Sequence, residues 1–267
     1  MCDECMIFWK GTGEAHVTFQ GRKPTEYGLE LKALAYGITH IILNIDLAEG
    51  KERDARKEYR DEVGASVATT LRLCKPYKGS GRCVVADSWF GSCNTAEWLW
   101  DELGLHSILA VKTGHRGFPK AQLLRDILGE RFSQKFYKCE VELERGPTTF
   151  YAAGFMDKKP MLLVGTCGTS LPGETVTRQR RVYQEGAIRR SQYTCTQPNM
   201  HDTYRKHFNA VDLFNRDCFG VHSLQFAVQT KSWARRLFLA LLGMCSVNAL
   251  NAYRATVGEM TTFEWTV

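Results

Sequence analysis

The sequence predicts an α/β protein in which a mixed sheet is flanked by helices and a β-rich stretch is inserted into the second half. Short apolar runs rich in β-branched residues open the chain, a strand, helix and strand follow at 83–111, and helical periodicity returns after residue 202. Because strand, helix and strand in that order require a crossover, we expect the middle strands to be parallel. A chain of 267 residues suits one large domain or one domain with an insertion.

The first part of the chain predicts an antiparallel meander followed by a helix. The predicted strands are residues 1–9, 16–19, 28–36 and 38–47. The highly charged run at 49–59 indicates either a solvated loop or an exposed helix. Apolar residues at helical spacing in 64–75 then predict a helix that rests on the sheet.

The middle of the chain predicts a buried strand, a helix and a second strand. Residues 83–86 form a short apolar run after a Gly-Ser-Gly turn, which is typical of a buried strand. A helix at 95–103 has candidate N-terminal caps in Ser92 and Asn94. Residues 107–111 predict the next strand.

The second half divides into a strand-rich stretch and a helical end. The predicted strands are residues 140–143, 148–155 and 161–165, and a long amphipathic helix is predicted at 232–253. The predicted division is a first part of the core at 1–120, an inserted β-rich subdomain at 121–200 and C-terminal helices at 201–267.

Composition excludes several classes of protein. With 44% hydrophobic and 24% charged residues, the chain is neither disordered nor collagen-like nor a coiled coil. The most apolar run, 237–249, is interrupted by Ser246 and Asn248 and falls short of the roughly 18 residues of a membrane span. Acidic residues directly after Cys2 argue against a signal peptide. The net charge of +6 permits a polyanionic partner but is too small to identify one.

The cysteines predict a reduced, intracellular protein. Ten of them are scattered along a chain that is large enough to have its own core, which argues against a disulfide scaffold. Cys2 and Cys5 form a CxxC pair, but no second pair lies at zinc-finger distance. We therefore expect no zinc site.

Three aspartates lie where apolar elements are expected to hold no charge. Asp3 is in the first strand, Asp87 follows the strand at 83–86, and Asp212 is in the helical region after residue 202. Buried charges are normally paired or bound to metal. The order of elements is that of an RNase H-like sheet, in which the first strand lies beside the strand at 83–86 and a later helix crosses beside both. That fold would bring the three carboxylates together.

Such a cluster of carboxylates predicts divalent cations. Three close carboxylates repel one another unless cations neutralise them, and oxygen ligands suit Mg²⁺ or Mn²⁺. Two ions about 3.5–4 Å apart would clamp a scissile phosphodiester, so the pattern predicts phosphoryl transfer on nucleic acid. The alternative for each aspartate alone is a helix cap, a turn residue or a surface charge.

A series of separated motifs runs in order along almost the whole chain. The motifs are DECM at 3–6, FQGRKP at 19–24, YGL at 27–29, DSWFGS at 87–92, RGFP at 116–119, NAVD at 209–212 and KSW at 231–233. In this order and at these spacings they resemble the piggyBac transposase family and its domesticated, transposon-derived relatives.

The resemblance implies an acidic catalytic triad, with Asp3, Asp87 and Asp212 as its first, second and third members and the insertion between the second and the third. It implies an enzyme that uses two Mg²⁺ or Mn²⁺ ions to cleave double-stranded DNA at transposon ends. Cleavage would be followed by DNA hairpin intermediates and by joining of the transposon ends to TTAA targets. The expected location is the nucleus, and a homodimer would form through regions outside this chain.

The resemblance also suggests which residues contact DNA. The expected phosphate contacts are Lys112, Arg116, Arg178, Arg180, Arg181, Arg189 and Arg190. Trp233 matches a family tryptophan beside a basic pair and is a candidate stacking platform for an unpaired base. Packing beneath the last helix is the alternative role for Trp233.

The chain departs from the family pattern in two places. The family often has a second acidic residue three positions after the third aspartate, and here that position is Asn215, whose oxygen can bind a metal ion but adds no charge. Two residues precede Asp3, so we expect a shortened first strand and the catalytic core of a longer transposase. The alternatives are a domesticated DNA-binding or scaffold protein without catalytic activity, and an inactive relic that does not fold stably.

Overall fold

The computed structural model describes residues 1–11, 16–21, 26–112, 117–129, 132–169, 171–184, 186–220 and 223–257. Its strands are β1 Cys2–Phe8, β2 Val17–Phe19, β3 Tyr27–Ala35, β4 Ile42–Leu47, β5 Cys83–Ala86, β6 His106–Ala110, β7 Gln134–Leu143, β8 Gly146–Met156, β9 Pro160–Gly165, β10 Pro172–Gln184 and β11 Ala187–Pro198. Its helices are α1 Lys51–Ala55, α2 Arg60–Val63, α3 Ala65–Cys74, α4 Cys93–Asp101, α5 Lys120–Ile127, α6 Asn199–His207, α7 Ala210–Cys218, α8 Leu224–Ala227 and α9 Trp233–Val257.

Strand β1 lies inside the main sheet, between β3 and β5. It pairs antiparallel with β3 over its whole length, from Cys2 opposite Leu34 to Phe8 opposite Gly28, and parallel with β5. Strand β5 is in turn parallel to β6, and α4 lies in the connection between them. The predicted mixed sheet, the parallel pair and the placement of the first strand beside the strand at 83–86 are confirmed.

Among the described residues, the main sheet has nine strands and extends in both directions from this centre. On one side, β2 and β4 pair with successive parts of β3. On the other side the order continues from β6 to β9, β8 and β7, all antiparallel. Strands β10 and β11 form a separate two-stranded ribbon. Much of the strand-rich stretch at 121–200 therefore continues the main sheet, while the division of the chain into three domains stays a prediction.

Two hydrophobic clusters cover the two faces of the sheet. One packs beneath α3, α4 and α5 and includes Leu71, Leu99 and Leu123; the other packs beneath α6, α7 and α9 and includes Val211 and Phe214. Strand alternation places Cys2 in the first cluster and Cys5 in the second. The two thiols of the CxxC pair therefore lie on opposite faces of β1 and cannot share one metal ion.

Two elements differ from the sequence-based expectation for physical reasons. The ribbon β10–β11 was not predicted because most of its described side chains are exposed, so its sequence lacks the alternation of a half-buried strand. Helix α5 was missed because it has two buried residues, Leu123 and Ile127, and spans only about two turns. The charged run at 49–59 contains the short helix α1, one of the two expected outcomes.

Helix α9 covers part of the second face of the sheet. Its length and a mean hydropathy of 1.2 would allow a membrane crossing on those two criteria alone. Here the helix packs against β1, α7 and α8 and buries Ala240, Met244 and Leu250. These contacts are those of a helix that covers a sheet.

Helix α4 begins at a side-chain cap. The Ser92 hydroxyl accepts a hydrogen bond from the Thr95 N–H at 3.0 Å, as the sequence predicted for one of its two candidate caps. We expect Ser92→Ala to lower the free energy of unfolding by about 1 kcal/mol, because an amide at the buried helix start loses its acceptor. Urea denaturation measures this. The matched control is Ser80→Ala, in an exposed turn, and an equal effect of the two changes would contradict the assigned cap.

Candidate active site

The parallel pairing of β1 with β5 places Asp3 and Asp87 side by side. Cys2 is opposite Ala86, and each aspartate is the next residue in its chain. Neighbouring strands lie about 4.8 Å apart, so the two backbones are close at this point. Both aspartates are half-buried. This pair of carboxylates is the part of the predicted triad that the sheet itself brings together.

Tyr204 of α6 lies beside this pair. Burial raises the pKa of its hydroxyl, and the negative charges of Asp87 and Asp3 raise it further. The phenol therefore stays protonated at neutral pH. Sequence analysis did not identify Tyr204, because its only local signal is that of an aromatic residue in an amphipathic helix.

A tight turn fixes Asp87 at the end of β5. One of its carboxylate oxygens accepts a hydrogen bond from the Trp89 N–H at 2.9 Å, and its carbonyl oxygen accepts one from the Gly91 N–H at 2.8 Å. A Cβ at position 91 would lie 2.0 Å from the Ala110 carbonyl oxygen. The glycine of the DSWFGS motif is therefore required by the close approach of β6.

A buried charge network lies on the opposite face of β1 from Asp3. The Lys32 ammonium is 2.6 Å from a Glu4 carboxylate oxygen and 2.7 Å from one of Glu30, and all three residues are buried. It also lies 3.6 Å from the centre of the Trp89 ring. One cation thus ties β1 and β3 to the turn after Asp87. The sequence signal for this network was a lysine and a glutamate in the otherwise apolar strand β3.

Helix α7 carries Asp212 and Asn215 across the sheet. Its buried residues pack against β1 and β3. The Asn215 amide donates a hydrogen bond to the Glu4 carbonyl oxygen at 3.1 Å, which docks the helix directly beside Asp3. The other amide atom, Asn215 Oδ1, is buried and has no hydrogen-bond partner among the described residues. Asp212 lies one turn earlier on the same stripe of the helix and is exposed.

The donor atoms of this site suit a hard divalent cation, but the three carboxylates do not form a ready-made centre. Asp3, Asp87 and the unpaired carbonyl oxygen of Asn215 are the oxygen ligands that Mg²⁺ and Mn²⁺ prefer. Within the described ranges, no three His, Cys, Asp or Glu side chains are grouped closely enough to hold one metal ion. The roles of Asp3, Asp87 and Asp212 as catalytic metal ligands stay predictions.

The predicted DNA contacts occupy two places. Lys112 is exposed and follows β6, so it lies at the same edge of the sheet as Asp87. The five arginines predicted between 178 and 190 all belong to the ribbon, and Arg181 is opposite Arg190. Arg189 and Arg190 are exposed. The side chains of Arg178, Arg180 and Arg181, and all of Arg116, lie outside the described part of the chain.

Trp233 begins α9 and is half-buried. Its ring packs edge-on against His16 with the ring centres 4.2 Å apart, and it also contacts the second hydrophobic cluster. These contacts agree with the packing role considered as the alternative for Trp233. Base stacking by Trp233 stays a prediction.

The Lys32 network predicts a large effect on stability. We expect Lys32→Met to lower the free energy of unfolding by about 3–5 kcal/mol, because it leaves the Glu4 and Glu30 carboxylates buried without their cation. The matched control is Lys78→Met, which breaks an exposed ion pair with Glu102 and should cost about 0–1 kcal/mol. Urea denaturation of both variants measures the difference. Equal costs would show that the network does not stabilise the fold.

Comparisons with known proteins agree with this geometry. A family model described as Transposase IS4 matches residues 1–250. Among solved structures, a cryo-EM structure of a piggyBac transposase synaptic complex with hairpin DNA is similar, with a TM-score of 0.72 at 18% sequence identity. The match covers 98% of this chain and 48% of that one, so the chain spans about half the length of that transposase. A search of curated proteins found no significant match.

The family match covers nearly the whole chain, and the structural match covers the mixed sheet together with its helices. The predicted resemblance and the predicted RNase H-like α/β fold are confirmed. The chain belongs to the Transposase IS4 family and has the fold of a piggyBac-type transposase.

Proposed function

We propose that this chain is the catalytic core of a piggyBac-type transposase, which cleaves DNA at transposon ends and joins the ends to TTAA targets. The observation that carries the proposal is the adjacency of Asp3 and Asp87 across the parallel β1–β5 pair. Two neighbouring carboxylates offer the oxygen ligands that a hard divalent cation prefers. Because the chain belongs to a transposase family, we propose that this cation takes part in catalysis.

In the proposed mechanism, Asp3 and Asp87, together with Asp212 and Asn215 of α7, are the residues that would hold Mg²⁺ or Mn²⁺. The bound cations would supply Lewis acidity for activation of a water or a 3′-hydroxyl and for stabilisation of the leaving oxygen. The chain itself orients the carboxylates, since the N–H groups of Glu4 and Trp89 each donate to an oxygen of the nearby aspartate.

Basic residues outside this centre would hold the DNA. Lys112 lies at the edge of the sheet where Asp87 ends β5, so it is placed to contact a phosphate close to the reacting bond. The described arginine side chains of the ribbon, Arg189 and Arg190, are exposed, and they lie on opposite faces because they are consecutive in β11. A two-stranded ribbon has the dimensions to enter the major groove of DNA.

The proposed substrate is double-stranded DNA. We therefore propose the nucleus as the location of the protein. A homodimer formed through regions outside this chain would bring two transposon ends together.

The central test is the loss of cleavage when Asp87 is neutralised. With Mg²⁺ and a DNA duplex carrying a TTAA-flanked transposon end, we expect the chain to nick the DNA. Asp87→Asn should lower the rate at least about a hundredfold, or some 2.7 kcal/mol of transition-state stabilisation, because a metal-binding charge is removed. The matched control is Asp61→Asn, the same chemical change at an exposed position of α2, which should leave the rate unchanged. Undiminished nicking by Asp87→Asn would refute the proposed centre.

A second candidate is a DNA-binding protein that keeps the fold without catalysis. The observation that favours it is the exposed position of Asp212, together with Asn215 in place of a second acidic residue. Titration calorimetry with Mn²⁺ separates the candidates. The catalytic proposal expects specific Mn²⁺ binding that Asp87→Asn weakens, whereas the second candidate expects DNA binding with no specific metal site.

A further inference from the structure

A basic cleft of about 500 Å³ lies where the end of β1 meets the start of α9. Trp9, Lys10 and Gly11 line one side, and Lys231 and Arg236 line the other. Trp9 follows Asp3 by six residues, which at about 3.3 Å per residue places it roughly 20 Å along the strand. The cleft is therefore separate from the aspartate pair.

Arg236 is buried in this cleft, and no acidic side chain of the described residues pairs with it. Its side chain belongs to a residue that is 8% exposed, and its Nε and Nη1 atoms have no hydrogen-bond partner among the described residues. Buried guanidinium N–H groups without acceptors are costly, because they lose water and gain no hydrogen bond in return. The arrangement becomes favourable when an anion with several acceptor oxygens enters the cleft.

Trp9 supplies a second unsatisfied donor. It is also 8% exposed, and its indole Nε1 is buried with no hydrogen-bond partner in the described part of the chain. A Cβ on Gly11 would lie 2.4 Å from that nitrogen, so the glycine keeps space beside the indole N–H. An indole nitrogen can only donate, which again favours an acceptor as the occupant.

The surrounding charge has one sign. Lys10 and Lys231 are exposed on the two sides of the cleft, and no Asp or Glu is among the described residues that line it. The first turn of α9 adds the positive end of a 25-residue helix. A neutral or cationic ligand would not relieve this charge, whereas an oxyanion would.

We propose that this cleft is a binding site for one phosphate group, with Arg236 as its main anchor and Trp9 as a second donor. Planar guanidinium groups suit phosphate because two parallel N–H groups can meet two oxygens. The phosphate can come from a nucleic-acid strand or from free inorganic phosphate, and the two sources share this chemistry. The site does not depend on metal-dependent cleavage at Asp87.

Titration calorimetry with sodium phosphate, at constant ionic strength set with chloride, tests the site. We expect the wild-type chain to bind phosphate at a single site and Arg236→Met to bind at least about tenfold more weakly. Removal of an unpaired buried charge should not prevent folding, which cooperative thermal unfolding checks. The matched control is Arg235→Met, the exposed neighbour on α9, which should bind as the wild type does.

Three further measurements test the site. Trp9→Phe keeps an aromatic ring but loses the indole N–H, and should weaken phosphate binding about fivefold. Competition between phosphate and a fluorescent oligothymidine identifies a nucleic-acid strand as the source, while phosphate binding without competition identifies the free anion. Asp87→Asn should bind phosphate normally, so a failure of the catalytic proposal remains distinguishable. Equal phosphate binding by wild type and Arg236→Met, or no phosphate binding by the wild type, overturns the inference.

Discussion

The parallel pairing of β1 with β5 is the constraint on which the rest of the structure depends. The two strands are joined by a long connection that contains β2–β4 and α1–α3, because a parallel neighbour cannot be reached by a tight turn. Strand β3 pairs with β1 on its other side. Helix α7 also docks on β1, through the Asn215 amide. The aspartate pair, the helix that faces it and the turn after β5 therefore all take their positions from one strand.

Strand β1 carries one carboxylate on each face, and the two carboxylates have different surroundings. On one face, the Lys32 ammonium pairs with the Glu4 and Glu30 carboxylates and lies against the Trp89 ring. Asp3 faces the other side with Asp87 and Tyr204. Burial raises the pKa of the Tyr204 phenol there, and the negative charges of Asp87 and Asp3 raise it further because they disfavour the phenolate. The first arrangement is a buried ionic network with one cation between two carboxylates. The second leaves negative charge concentrated at one edge of the sheet, which suits the cation binding proposed for it.

Besides Lys112, basic residues also lie away from that edge. The net charge of +6 does not indicate where a polyanion would bind, because many lysines and arginines are paired with acidic residues on the surface. What matters is where the cations stand without such partners in the described part of the chain. The cleft around Arg236 is one such place. The exposed Arg189 and Arg190 belong to the ribbon, which is separate from the main sheet. A polyanion that reached from the aspartates to these surfaces would meet favourable charge at each.

The sequence by itself determined the elements whose signals are local. The strand Cys83–Ala86 matches its predicted bounds, because a short apolar run after glycines is a clear signal of a buried strand. Ser92 marks the start of α4 through its hydroxyl, and the aspartates stand out as charges inside apolar elements. The order of motifs was sufficient to identify the family and hence the sheet.

Only the tertiary structure decided which surfaces meet. The extension of the sheet from β6 to β9 depends on pairing between distant segments, which no local periodicity encodes. Asn215 reaches the Glu4 carbonyl across 211 residues of sequence, and Arg236 is buried although an arginine near a helix start is ordinarily exposed. Local periodicity reports which side of an element is apolar, but the neighbour that covers each polar group is fixed by packing of the whole chain.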